Sequence, residues 1–83
     1  MKTSEQIIRD EIEEGLEDSE TSMIVSVEFT RAFTIEDGRH KTYREIYHVI
    51  LTHEYSRETE LEILRVIIDD HKTIVNMERV FKS

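Results

Sequence analysis

Four histidines, His40, His48, His53 and His71, are the first residues to weigh for chemistry, because neutral imidazole is a ligand for Zn or Ni. None of them forms an i, i+4 pair or another tight ligand spacing, so no metal site is assigned. His48 is expected on a sheet face and His71 at a helix C-terminus, where an imidazole suits the dipole. Asp69-Asp70-His71 sets two carboxylates beside a base, yet adjacent helical residues point about 100° apart and cannot converge on one substrate. Ser22, Ser26 and Ser56 lack a nucleophile elbow, and two glycines, Gly15 and Gly38, are too few for a phosphate-cradling loop. The absence of Cys removes thiolate ligands, a cysteine nucleophile and a disulfide framework. The expectation is a protein that is not an enzyme and uses no metal and no cofactor.

A second group, Tyr43, Tyr47 and Tyr55 with Arg39, Lys41 and Arg44, has the residue types that stack on and contact single-stranded nucleic acid. Glu36, Asp37 and Glu45 cancel much of that local field, and the formal charge of −8 opposes direct binding to phosphates. The excess acidity is concentrated: residues 1–20 carry Lys2 and Arg9 against eight carboxylates, whereas residues 21–83 hold nine basic and eleven acidic side chains. From Glu5 to Glu20 a helix would place those carboxylates along roughly 22 Å, about one per 3 Å. One DNA strand carries a phosphate about every 3.4 Å. A rigid surface of that charge density suits the basic groove of a DNA-binding protein. Ile7, Asp10, Glu11, Glu13, Glu14, Glu17 and Asp18 are therefore the candidate partner-binding residues, Ile7 as an apolar anchor among the charges.

The elements that must position these residues follow from periodicity. The chain of 83 residues has room for one small domain, 1–83. Thr3-Ser4-Glu5-Gln6 has the form of a capping box and starts an acidic helix over about 4–18, with Ile8, Ile12, Gly15 and Leu16 on its core-facing sector. From Met23 the period becomes two: Val25, Val27, Phe29, Phe33 and Ile35 make one apolar row of a strand. Asp37-Gly38 predicts a hairpin and a second strand over about 41–52. A two-residue turn sets Ile46, His48 and Ile50 opposite that row, and a three-residue loop sets Tyr43, Tyr47, Val49 and Leu51 there. Thr59-Glu60-Leu61-Glu62 reads as another capping box, opening a second helix that ends near His71, and residues 73–81 as a third strand. The expected architecture is α+β in the order α-β-β-α-β, a three-stranded sheet in order 3-1-2 packed with two helices, both sheet faces being covered by the helices or by a second subunit. Its open edges allow sheet-edge pairing or a homodimer.

In its size, its acidity and the charge pattern of Glu5, Asp10, Glu11, Glu13, Glu14, Glu17 and Asp18, the chain resembles the small acidic proteins that bacteriophages make in host takeover, including the DNA-mimic inhibitors of nucleoid protein HU. The resemblance covers about a quarter of the chain. It implies an inhibitor that occupies the basic DNA-binding surface of a host protein, as a dimer. The alternative is a small structural or regulatory domain that works through its sheet, the acidic helix serving solubility. No apolar run reaches 18 residues and no signal-peptide core follows Met1, so no membrane partner is expected and the cytoplasm is the expected compartment.

Overall fold

The computed structural model describes residues 1–16 and 21–83. The order is α1 (Ser4–Gly15), β1 (Ser22–Asp37), β2 (His40–Tyr55), β3 (Glu58–Asp69) and β4 (Ile74–Lys82). The four strands form one sheet in the order β1-β2-β3-β4, every neighbouring pair antiparallel. The expected second helix is β3, and the order 3-1-2 gives way to a meander. Leu61, Ile63, Leu64, Val66, Ile67 and Ile68 form a nearly continuous apolar run, which periodicity cannot separate from a helix. Four of the six are β-branched, and stiffness at χ1 favours the strand. The Glu62 side chain caps nothing; it faces His53 on β2.

Helix α1 begins as expected. Thr3 is extended, and its Oγ1 accepts a hydrogen bond from the backbone N–H of Gln6 at 3.2 Å. Thr3→Ala should cost about 1 kcal/mol of stability, measured by urea unfolding. The helix ends at Gly15, short of the expected residue 18, because Leu16 turns extended while its N–H still reaches the carbonyls of Ile12 and Glu13. Twelve residues at about 1.5 Å each make α1 roughly 18 Å long, whereas the molecule measures 54 Å along its longest axis. One face of the sheet is thus covered over part of its length. Among the described residues no element lies on the other face, contrary to the expectation of two covered faces.

The hairpin at Gly38 and Arg39 is a two-residue turn, with Asp37 paired to His40 and Gly38 at a φ of +61°, where a side chain would be strained. The expected apolar row of β1 does not stay on one face. The register with β2 slips at Val25 and again at Thr30, each leaving one extra residue on β1. A bulge changes the parity of everything beyond it. Arg31, Phe33 and Ile35 accordingly pair with Ile46, Arg44 and Thr42 on the helix-free face, whereas Phe29, Val27 and Ile24 pair with Tyr47, Val49 and Leu51 beneath the helix. Each of the two registers open to the sequence holds in one half of the hairpin.

The core lies between α1 and the centre of the sheet: Ile8, Ile12, Val49, Leu51 and Val66 are buried together, with Leu16, Ile24, Val27, Tyr47, Leu64 and Ile74 packed around them. β4 also carries two slipped positions, Val75 and Val80. Both edge strands are therefore bulged twice, and bulges at an edge hinder a further strand from pairing there.

Candidate functional site

The acidic helix is held on the sheet by a polar cluster at its first turn. Ser4 is 4% exposed, and its Oγ donates to Glu45 Oε1 at 2.7 Å while accepting from Lys72 Nζ at 2.9 Å. Tyr43 OH donates to Glu45 Oε2 at 3.0 Å and Tyr47 OH to Oε1 at 3.4 Å. Burial alone would raise the Glu45 carboxyl; the hydrogen bonds from Ser4 and Tyr43, the Lys72 ammonium and the Tyr47 hydroxyl outweigh it and hold the group below its ordinary value. Lys72 reaches this cluster from the β3–β4 turn with a φ of +63°, a conformation uncommon outside glycine. The turn is fixed by Asp69, whose Oδ1 accepts from the N–H groups of Thr73 at 2.8 Å and His71 at 2.9 Å, bonds that depress its pKa. Asp69 is thus a turn cap, and exposed His71 sits in that turn rather than at the end of a helix.

With its first turn fixed, α1 presents its carboxylates outward. Asp10 pairs with Lys2 at 2.6 Å and Glu5 with Arg9 at 3.4 Å, both on the surface. Glu11, Glu13 and Glu14 are exposed and make no ion pair among the described residues. Ile7, Glu11 and Glu14 stand at i, i+4 and i+7, one ridge along the helix, and Ile7 is half-buried at its start rather than fully exposed. Beside Glu11 an apolar groove of about 480 Å³ runs between the helix and the sheet, lined by Ile12, Leu16, Leu64, Ile74 and Met77, with Glu62 at its rim. Periodicity could not show this groove, because Leu64 comes from β3, which reads as a helix in the sequence, and the place of β4 in the sheet depends on β3. Glu17 and Asp18 lie outside the described residues. The helical carboxylates from Glu5 to Glu14 span about 14 Å instead of the expected 22 Å, roughly four phosphate spacings.

A second arrangement went unseen in the sequence because its members lie on three strands. Ser22 Oγ is 2.7 Å from His53 Nδ1, and His53 Nε2 is 3.1 Å from Glu62 Oε1. The tautomer protonated at Nε2 satisfies both contacts: Nε2–H donates to the carboxylate, and Nδ1 accepts the serine proton. That is the polarity of a base-activated nucleophile. The neighbouring charges oppose such a use. Ser22 lines a cleft of about 360 Å³ with Glu13 and Leu16, at the negative end of the helix dipole. A developing oxyanion needs donors there, each contributing about 3 kcal/mol, whereas among the described residues this end of the helix presents carbonyls and the Glu13 carboxylate. The chain of contacts ties β1, β2 and β3 together, and Arg79 Nη1 lies 3.7 Å from the second oxygen of Glu62.

The remaining histidines are apart from one another. His48 bonds Thr30 through Nδ1 at 2.7 Å on the helix-free face, and His40 sits in the β1–β2 hairpin. Among the described residues no three His, Asp or Glu side chains converge to hold a metal ion. No helix there is long and apolar enough to cross a membrane. No protein-family model, curated protein or solved structure matches the chain.

Proposed function

We propose that the protein is a non-enzymatic acidic binding protein that uses α1 to occupy the basic DNA-binding surface of another protein, in the manner of a DNA-mimic inhibitor. The observation that supports this reading is the set of carboxylates Glu11, Glu13 and Glu14, without an ion pair among the described residues, on a helix pinned to its sheet by Ser4, Glu45 and Lys72. A fixed helix pays no ordering cost on binding. Asp10 contributes at the edge of the same surface, where its ion pair with Lys2 can exchange for one with a partner. Ile7 and the groove beside Glu11 accept apolar side chains of the partner, giving the contact a component that salt does not screen.

The mimicry is local. A rigid acidic stretch of about 14 Å is less than half the roughly 34 Å of a DNA helical turn, so α1 blocks one patch of a binding groove. Steering by the field of an anionic molecule brings the two together quickly at low salt. The test is binding to a basic DNA-binding protein, with nucleoid protein HU as the probe, in a salt series. The triple variant Glu11→Lys, Glu13→Lys, Glu14→Lys should fold as the wild type does and bind at least about tenfold more weakly. Unchanged affinity in that variant would exclude the acidic helix as the contact.

A further inference from the structure

The helix-free face of the sheet carries its own organisation. The register places four residues, one from each strand, in successive rows across it. Ser26, Ile50, Ile63 and Phe81 form one row; Glu28, His48, Arg65 and Glu78 the next; Arg31, Ile46, Ile67 and Asn76 the third. Two pairs of isoleucines thus flank a polar row at the middle of the sheet. Phe81 is 47% exposed, and Ile35, farther along the same face, is 53% exposed. The polar row satisfies much of its own hydrogen bonding: Arg65 pairs with Glu78, and His48 bonds Thr30. Charges in these three rows balance, with Arg31 and Arg65 against Glu28 and Glu78, whereas Asp37 and Glu54 add acid only toward the ends of the face. Two buried polar atoms of this face, Ser26 Oγ and Arg65 Nε, have no hydrogen-bond partner among the described residues.

We infer that this face is the interface of a homodimer in which two copies stack their sheets, giving four layers in the order helix, sheet, sheet, helix. Four observations point to a second copy rather than to an unrelated partner. The central rows of the face are electrically balanced on a molecule of charge −8, and stacking through this face is the approach that keeps the two acidic helices farthest apart. Stacked layers about 10 Å apart separate those helices by about 30 Å, several times the Debye length at physiological salt. The molecule measures 54 × 27 Å across its two larger dimensions, ample for the roughly 800 Å² per partner that a standard interface takes. The alternative mode of self-association, edge pairing, meets a doubly bulged strand on either side. Finally, seven buried apolar side chains among the described residues make a small core, and covering the second face of the sheet supplies the missing layer. The acidic helices remain outermost, so the dimer offers two copies of the same surface to basic partners.

The experiment is sedimentation velocity on the full chain over about a hundredfold range of concentration, with thermal unfolding followed by circular dichroism on the same samples. The expected result is a dimer whose Tm rises with concentration and which persists in about 1 M salt, where charge contacts are screened. Ile63→Glu should raise the dimer dissociation constant at least about tenfold. Because Ile63 is half-buried and a charge there also strains the fold, Phe81→Glu on the exposed rim provides a second probe and should weaken the dimer with the strand content retained. The helix variant Glu11→Lys, Glu13→Lys, Glu14→Lys should stay dimeric, which separates this interface from the surface used for basic partners. A monomer at every concentration, a dimer that both Ile63→Glu and Phe81→Glu leave intact, or one that dissociates in high salt would overturn the inference.

Discussion

Ile8→Ala should destabilise the protein by about 3 kcal/mol, within the roughly 2 to 5 kcal/mol typical of truncating a buried isoleucine. Ile8 is 0% exposed and packs with Ile12, Val49, Leu51 and Val66, so the substitution opens a cavity where α1 meets the sheet. The helix cannot collapse into the gap, because Ser4 one turn earlier is bonded to Glu45 and held by Lys72. For a domain of this size, whose total stability is of order 5 to 10 kcal/mol, the loss is a large fraction. Urea unfolding followed by circular dichroism should show the midpoint falling by about 2 to 3 M, given a slope near 1 kcal/mol per M for a small chain. The adjacent Ile7→Ala should change stability by less than about 1 kcal/mol, since Ile7 lies outside the core. Equal effects of the two substitutions would contradict the assigned helix face.

Glu45→Ala should cost about 2 kcal/mol near neutral pH and also change how stability responds to acid. The carboxylate is the common acceptor of Ser4, Tyr43 and Tyr47 and the counter-charge of Lys72, 4.0 Å away. Removing it leaves the buried Ser4 hydroxyl without its acceptor, and an orphaned buried donor costs more than an average hydrogen bond contributes. The sign of the pH effect follows from the depressed carboxyl of Glu45. A group with a lower pKa folded than unfolded stabilises the native state above its ordinary value, near 4.5, and loses that contribution as the pH falls through the folded value. Wild-type stability should therefore drop below about pH 4.5, and the isosteric Glu45→Gln variant should show a shallower drop, because it has no proton to take up at that position. Asp69, also depressed by the backbone N–H groups it caps, contributes to the remaining slope in both proteins. Parallel acid profiles for wild type and Glu45→Gln would show that Glu45 is not tuned by its neighbours.

Several elements were legible in the residues alone. Thr3 and Gln6 marked the helix start through a cap that the structure contains, and Asp37-Gly38 marked the first hairpin through the positive φ that glycine admits. The stretch from Glu58 to Asp69 was not legible, because a strand apolar on both faces loses its alternation, and Thr59-Glu60-Leu61-Glu62 imitates a helix start. The tail was recognisable as a strand, but its place in the sheet depended on the misassigned neighbour. Bulges at Val25 and Thr30 were equally hidden: the apolar row of β1 looks regular in sequence, and only its pairing with β2 reveals the change of face. At the proposed binding surface the acidic residues of α1 were evident from charge alone. The groups that fix the helix were not. Glu45 and Lys72 are 27 residues apart and meet through strand pairing and a strained turn, and Ser22, His53 and Glu62 likewise converge only in three dimensions.

Competition with DNA tests the central proposal most directly. A short fluorescent duplex bound to nucleoid protein HU is titrated with this protein, and anisotropy reports the fraction of DNA still bound. The account predicts that the wild-type protein releases the duplex at low salt, that release weakens as salt rises, and that the Glu11→Lys, Glu13→Lys, Glu14→Lys variant leaves the duplex bound. Anisotropy that stays constant with the wild-type protein at low salt, or equal release by the variant, would contradict the proposal that α1 takes the place of DNA on a basic surface.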